Sequence, residues 1–229
     1  MRLTTQMREI MTELKQLGSE VNITSFKRLG ITADSIYGVI MPQLRKYAKT
    51  IHKNKALAMS LFNTCNREAQ IVASLIVNIE ELSIEDMHSW ATQSTSWDVV
   101  DAVCMNLFWK FPQVDTFIDE CYQSEIELAK RYAPVLMVCC FRHKKDLDDK
   151  TKEKYLCSIM THISDTRNYV LKAHSWALRE LCKKYPDYKI KVILELSRYQ
   201  GSKDSDIKWL VHDVMKKLSK RRLSRQNPQ

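Results

Sequence analysis

The 229-residue chain contains only four glycines, at positions 18, 30, 38 and 201. An average composition would supply about sixteen. Phosphate-binding loops such as GxGxxG and GxxxxGK(S/T) need several glycines close together, because only glycine lets the backbone approach a phosphate so closely. The four glycines do not have that spacing. The shortage of glycine therefore argues against a Rossmann or P-loop nucleotide enzyme. It also argues against a hairpin-rich β protein, whose tight turns need positive φ.

Apolar residues recur with the 3.6-residue period of an α-helix along nearly the whole chain. Helix-start residues precede several of these segments, as Ser83 precedes Ile84 and Ser96 precedes Trp97. The pattern predicts helices over residues 4–17, 42–53, 55–65, 67–79, 83–93, 97–111, 113–123, 125–142, 150–163, 166–184, 187–199 and 204–222.

The predicted helices are short, lie close together in sequence and form pairs. Pairs that recur about every 30–45 residues are typical of HEAT and armadillo repeats. We therefore predict an all-α fold, a right-handed HEAT-like helical-repeat solenoid with a concave basic face. Residues 1–222 would form this single domain, and residues 223–229 a basic and polar tail. An irregular helical bundle is the alternative, because the sequence shows no strict internal repeat.

The charge balance favours an acidic partner such as nucleic acid. The chain has 36 Lys and Arg against 27 Asp and Glu, a formal net charge of +9. Six of the basic residues lie within residues 216–225, and without them the net charge would fall to +3. This cluster is either a solvated helix end favoured by the helix dipole or a phosphate-binding segment. Both interpretations stay open at this point.

The seven cysteines are odd in number and form no CxxC pair. They lie in apolar or helical segments, so we expect small buried side chains in a reducing compartment and a cytoplasmic protein. No HExxH motif or zinc-ligand spacing occurs, and we predict no metal and no cofactor. No apolar run reaches the length of a membrane span, so we expect no membrane association.

One predicted helix, 166–184, carries a tryptophan among cations. Lys172, Trp176, Arg179 and Lys183 lie on the side opposite its apolar residues. A tryptophan in a basic face suits contact with the bases or sugars of nucleic acid. The alternative is that Trp176 packs against a neighbouring helix.

A second predicted helix, 97–111, places Trp97 and Asp101 four residues apart and therefore on one face. A carboxylate held against an aromatic ring, with little water around it, can stabilise positive charge or orient a water molecule. The alternative is an acid favoured by the dipole in the first helical turn, which suits Asp98 better than Asp101.

Two arginines of the predicted helix 125–142 are further candidates. Arg131 and Arg142 share a face with Val135 and Val138. On an inner helix, the planar guanidinium of such an arginine would contact phosphate. Simple solvation is the alternative for Lys130 and Arg142.

Six short segments carry recognisable patterns in a fixed order. The most specific is Lys172–Glu180, which is similar to Lys-Ala-x-x-Trp-x-Leu-Arg-Glu, and Ser96–Asp101 is similar to Trp-Trp-Asp-x-Val-Asp. Together these segments resemble the HEAT-like DNA alkylation repair proteins, the AlkD-type DNA glycosylases. Ser96 stands where that family has its first tryptophan, and Tyr132 and Pro134 replace small or aliphatic residues. The six segments are residues 26–30, 38–45, 67–70, 96–101, 130–133 and 172–180.

The resemblance implies a DNA glycosylase that excises cationic alkylated purines, 3-methyladenine and 7-methylguanine, from duplex DNA without a base-binding pocket. It implies that Asp101 is the catalytic acidic residue, Trp97 and Trp176 the cleft aromatics and Arg131 the cleft arginine. A monomer is expected, because the cleft must admit a duplex. The alternatives are a non-catalytic protein that binds distorted or branched DNA, and a protein-interaction scaffold. The predicted DNA-binding residues are Arg142, Lys172, Arg179, Lys183, Lys216, Lys220 and Arg221.

Overall fold

The computed structural model describes residues 2–220, with side chains for residues 3–219. Within this range the regular structure is helical, and no strand is present. No helix of this range is long and apolar enough to cross a membrane. The α-helices are α1 (Arg2–Gln16), α2 (Glu20–Arg28), α3 (Met41–Ala48), α4 (Lys55–Phe62), α5 (Arg67–Ala73), α6 (Ile84–Gln93), α7 (Trp97–Asn106), α8 (Val114–Tyr122), α9 (Glu127–His143), α10 (Asp149–Thr161), α11 (Asn168–Lys184), α12 (Tyr188–Ser197) and α13 (Ser205–Lys220).

The contacts divide the described residues into two compact units, one that ends at residue 117 and one that begins at residue 118. In the first unit α5 is the central helix, because it packs against α1, α3, α4 and α7. All seven residues of α5 are buried, including three polar ones. Its polar side chains must therefore find partners inside the protein, since an unpaired polar group is costly to bury.

In the second unit α11 is the central helix, and it packs against α9 on one side and α13 on the other. Helices α10 and α12 also contact α11. Alternate helices thus lie side by side, which is the arrangement that stacked helix pairs produce. Each of these three helices carries an exposed basic residue, Arg142 on α9, Lys172 on α11 and Lys216 on α13.

The predicted helices are present, but one helix was missed and some ends differ. Helix α2 has no buried residue, so it lacks the apolar stripe on which the sequence interpretation depends. Helix α9 continues through Pro134. The expectation of buried cysteines is wrong for Cys65 and Cys157, which are exposed. The Lys220 side chain, Arg221 and the predicted tail 223–229 lie outside the described residues.

Candidate functional site

A buried ion-pair network joins α5 to the first turn of α7. The Arg67 guanidinium donates from Nε to Asp98 Oδ2 at 2.7 Å and from Nη1 to Glu68 Oε1 at 2.8 Å. The side chains of Arg67 and Glu68 are 3% and 0% exposed. Buried charges are tolerated when paired and hydrogen-bonded in this way. The network therefore fixes the beginning of α7 against the central helix of its unit.

The same glutamate holds the segment that precedes α3. Glu68 accepts hydrogen bonds from the backbone N–H groups of Tyr37, Gly38 and Val39, at 2.9, 3.0 and 3.3 Å. Gly38 has a φ of +81°, and a Cβ built there would lie 2.3 Å from the carbonyl oxygen of Ser19. Only glycine meets both requirements. The glycine that opens the segment 38–45 is thus explained by its positive φ and by the close approach of the Ser19 carbonyl.

The loop before α7 is held by Gln70. Its amide donates to the carbonyl of Gln93 at 2.7 Å, and its Oε1 accepts from both the N–H and the hydroxyl of Thr95. Ser96 follows; it is buried, and its hydroxyl donates to Asp98 Oδ1 at 2.6 Å. Ser96, where the resemblance has a tryptophan, therefore helps to hold the carboxylate that binds Arg67.

Trp97 and Asp101 lie one turn apart on α7, and both are half-buried. The two aspartates of this helix differ in their surroundings. Asp98 lies in the first turn and is bound by Arg67 and Ser96, so it has a structural role. Asp101 lies one turn further along a helix whose start is fixed. A half-buried carboxylate beside an indole can stabilise positive charge that develops in contact with it.

In the second unit, Arg142 of α9 covers Trp176 of α11. The Arg142 guanidinium carbon lies 5.1 Å from the centroid of the indole ring, a cation–π arrangement. Arg142 also donates to Glu180 Oε2 at 2.8 Å. Burial favours a higher pKa for Glu180, but the hydrogen bond and the charge of Arg142 together keep its pKa below the ordinary value. Glu180 is therefore an anion that holds Arg142 across Trp176.

A second acid holds the next arginine of α11. Asp213 Oδ2 of α13 accepts from the Ser175 hydroxyl at 2.7 Å and lies 3.1 Å from Arg179 Nη1. Lys183 lies 3.4 Å from Glu180, so it too has an acidic partner. Within residues 2–220, by contrast, the exposed ammonium groups of Lys172 and Lys216 have no ion-pair partner. We call Lys172, Trp176, Arg179 and Lys183 the α11 face.

Arg131 has a different position from the one expected. It is 5% exposed, and its Nη1 donates to the carbonyl oxygen of Tyr169 at 2.5 Å. The backbone N–H of Tyr169 in turn donates to Glu127 at the start of α9. Arg131 thus binds the beginning of α11 to α9, rather than presenting an exposed guanidinium. Its assignment as a phosphate contact stays a prediction, and Arg142 is the more exposed of the two.

His174, two residues before Trp176, is fully buried in α11. Its Nε2 lies 3.3 Å from the hydroxyl of Tyr122, whose ring stacks on His162. Its Nδ1 has no hydrogen-bond partner among the described residues. Burial lowers the pKa of His174 from 6.5 to about 3. The imidazole is therefore neutral in the folded protein at neutral pH.

The buried histidine should make the free energy of unfolding depend on pH. The unfolded chain binds the proton of His174 near pH 6.5, whereas the folded chain binds it only near pH 3. Between these values the unfolded chain holds more protons, so acidification favours unfolding. We expect His174→Gln to reduce the dependence between pH 6 and pH 4 by about 1 kcal/mol per pH unit. Urea denaturation at several pH values measures this slope, with His212→Gln, an exposed position, as the control. Equal slopes in the wild type and His174→Gln would contradict the prediction.

Two comparisons with known proteins identify the family and the fold. Residues 10–221 match the sequence profile of a family described as DNA alkylation repair enzyme. The chain belongs to the DNA alkylation repair enzyme family. It also resembles a solved structure described as "a new family of proteins related to the HEAT-like repeat DNA glycosylases with affinity for branched DNA structures". That similarity has a TM-score of 0.77 at 19% identity and covers 94% of this chain and 95% of the other. No curated protein gives a significant match.

The DNA alkylation repair family and the HEAT-like fold confirm the resemblance inferred from the six segments. Trp97 and Asp101 lie one turn apart on α7 in the first unit, and Arg142 contacts Trp176 in the second. The sequence does not predict that Glu180 holds Arg142 or that Asp213 holds Arg179, because the partners are distant in sequence. Among residues 2–220, no group of three or more His, Cys, Asp or Glu side chains is placed to hold a metal ion.

Proposed function

We propose that this DNA alkylation repair protein is a DNA glycosylase that excises cationic alkylated purines such as 3-methyladenine and 7-methylguanine from duplex DNA. The observation that carries the proposal is the half-buried Asp101 one turn from Trp97, on a helix whose first turn is fixed by the buried Arg67–Asp98 pair. Catalysis by charge stabilisation requires such a preorganised group. In this proposal the first unit supplies the carboxylate, and the α11 face with Arg142 supplies contacts to the DNA backbone.

The chemistry requires little beyond a negative charge near the sugar. The alkylated purine is already cationic, so the N-glycosidic bond breaks with its electron pair moving to the base, which leaves neutral. Positive charge then develops on the oxocarbenium-like sugar, where the Asp101 carboxylate would stabilise it. Water adds to the anomeric carbon and releases a proton to solvent. Trp97 would contact the sugar and exclude bulk water, and its π-face would add cation–π stabilisation.

The contacts to the DNA backbone would come from two kinds of side chain, arginines held by acids and lysines without an acidic partner. Arg142 and Arg179 are each held by an acid, so their guanidinium groups lose little conformational freedom on binding phosphate. Lys172 and Lys216 bring positive charges that no acid neutralises within the described residues. When these two lysines neutralise phosphates, the DNA should release the counterions bound there. Binding should therefore weaken as the salt concentration increases.

Release of free base tests the glycosylase proposal. The wild-type protein is incubated with a duplex that contains a single 7-methylguanine, and the free base is quantified by chromatography. We expect release well above the spontaneous rate measured without protein. The same duplex without the modified base should release nothing. Salt-sensitive binding to the duplex without base release would contradict catalysis and support the second candidate.

The second candidate is a non-catalytic protein that binds distorted or branched DNA. It is favoured by the similar solved structure, whose family is described as having affinity for branched DNA structures. Ser96 also favours it, since the tryptophan expected at this position is replaced by a buried residue with a structural hydrogen bond. A four-way junction bound more tightly than a duplex of equal length, with no base release, would be the result expected of this candidate.

A further inference from the structure

Helix α13 carries an exposed tryptophan that neither the sequence motifs nor the proposed chemistry uses. Trp209 is 41% exposed, although tryptophan is a residue that proteins usually bury. The side of α13 that packs into the unit is formed by other residues, and Trp209 lies away from that side. The buried residues of α13 are Leu210, Val211, Val214 and Leu218.

Trp209 shares its helix face with two charged residues, of which Asp213 is linked to α11. Asp213 follows it by four residues and Lys216 by seven, which is the spacing of one helical face. Asp213 binds both Ser175 and Arg179 of α11. Trp209 therefore lies one turn from the contact that joins α13 to the α11 face.

The directions of α11, α12 and α13 show which part of α11 lies nearest to Trp209. Helix α12 begins four residues after α11 ends and packs against it, so the two run antiparallel. Lys189, near the start of α12, donates to the carbonyl oxygen of Leu218 near the end of α13, at 2.9 Å. Helix α13 therefore runs parallel to α11. Trp209 accordingly lies about 6 Å from Asp213 along the helix axis, toward the level of Lys172.

An exposed indole in this position is bordered by cations that can bind phosphate. Lys172 and Arg179 belong to the α11 face, and Lys216 lies two turns from Trp209 on the same face of α13. The ammonium groups of Lys172 and Lys216 have no ion-pair partner within residues 2–220. This combination of an aromatic platform and a basic track is the arrangement that binds single-stranded nucleic acid. In a fully paired duplex each base is already stacked between its neighbours, so only an unpaired base is free to stack on an indole.

We propose that Trp209 stacks on an unpaired nucleotide of DNA whose backbone follows α11 and α13. The inference rests on the proposed DNA-binding function and specifies the kind of DNA that this part of the protein recognises, one with a flap, bulge or branch point. Lys172 and Lys216 hold the phosphates on either side of the unpaired nucleotide, and the indole covers its base.

The test compares two DNA probes with the same duplex sequence. One is fully paired, and the other also carries a short single-stranded flap. Trp209→Ala should weaken binding to the flap DNA about 10- to 100-fold. It should change binding to the paired duplex less than about 2-fold, since the phosphate contacts stay in place. Trp209→Phe should retain most of the affinity for the flap, because it keeps an aromatic face. Ile190→Ala, at a 72% exposed apolar position on α12, is the matched control and should change neither.

The outcomes separate this inference from the function on which it rests. Unchanged flap binding by Trp209→Ala, with DNA binding by the wild type intact, would overturn the role of Trp209 alone. An equal loss on both probes would also overturn it, because stacking on an unpaired base predicts selectivity. A wild-type protein that bound neither probe would overturn the DNA-binding function as well. Circular dichroism confirms that each variant is folded, which an exposed position should permit.

Discussion

Asp101→Asn should lower the rate of base release about 100- to 1,000-fold, the effect of removing one preorganised charge-stabilising group. The substitution keeps the size and shape of the side chain and removes its negative charge. The proposed mechanism uses that charge only when the sugar becomes cationic, so the transition state is affected and the ground state is not. Affinity for the modified duplex should therefore change less than about 3-fold, an effect below 1 kcal/mol. Single-turnover release of 7-methylguanine measures the rate, and titration of the same duplex measures the affinity.

A matched variant separates the role of Asp101 from a general change of charge. Glu85→Gln, at an exposed position on α6, removes one negative charge from the same unit and should leave the rate of base release unchanged. Both variants raise the net charge by one, so any increase in DNA affinity caused by charge alone should be shared. Retained base release by Asp101→Asn would remove Asp101 from the mechanism, even if the wild type is an active glycosylase.

The parts of the fold that depend on local pattern are predicted correctly from sequence. Helix α7 begins at Trp97, directly after the predicted start signal at Ser96. The division of α11 into two sides is also confirmed, since the five residues assigned to its apolar side are buried. Helical periodicity is a short-range property, so a stretch of sequence that covers a few helical turns is enough to reveal it. The five residues are Val170, Leu171, Ala177, Leu178 and Leu181.

The contacts that position the candidate site join residues that are distant in sequence, and the sequence alone does not predict them. Arg67 and Asp98 are 31 residues apart, and Arg142 and Glu180 are 38 apart. Neither pair has a spacing that predicts contact. The face that Arg131 shares with Val135 and Val138 does not predict its burial either, because Arg142 on the same face is exposed. Arg131 differs from Arg142 by its hydrogen bond to the carbonyl oxygen of Tyr169, which is 38 residues away in sequence.

Arg67→Ala should lower the free energy of unfolding by about 3–5 kcal/mol, the usual result of removing one partner from a buried ion pair. Glu68 would keep its three backbone hydrogen bonds, but Asp98 would lose its guanidinium partner and keep only Ser96. The guanidinium also lies 4.4 Å from the centroid of the Phe26 ring, so that contact is lost as well. Both losses place the expected effect toward the upper end of this range.

Urea denaturation of the wild type and the variant measures this effect. Arg45→Ala, an exposed arginine on α3 of the same unit, is the control and should change stability by about 0.5 kcal/mol or less. The double variant Arg67→Met/Asp98→Asn removes the charge from both partners and should recover part of the loss, because no buried carboxylate of α7 is left unpaired. A loss below about 1 kcal/mol for Arg67→Ala would place it in the range of an exposed ion pair. The Arg67–Asp98 pair would then not be what fixes the start of α7, and the placement of Asp101 would need another cause.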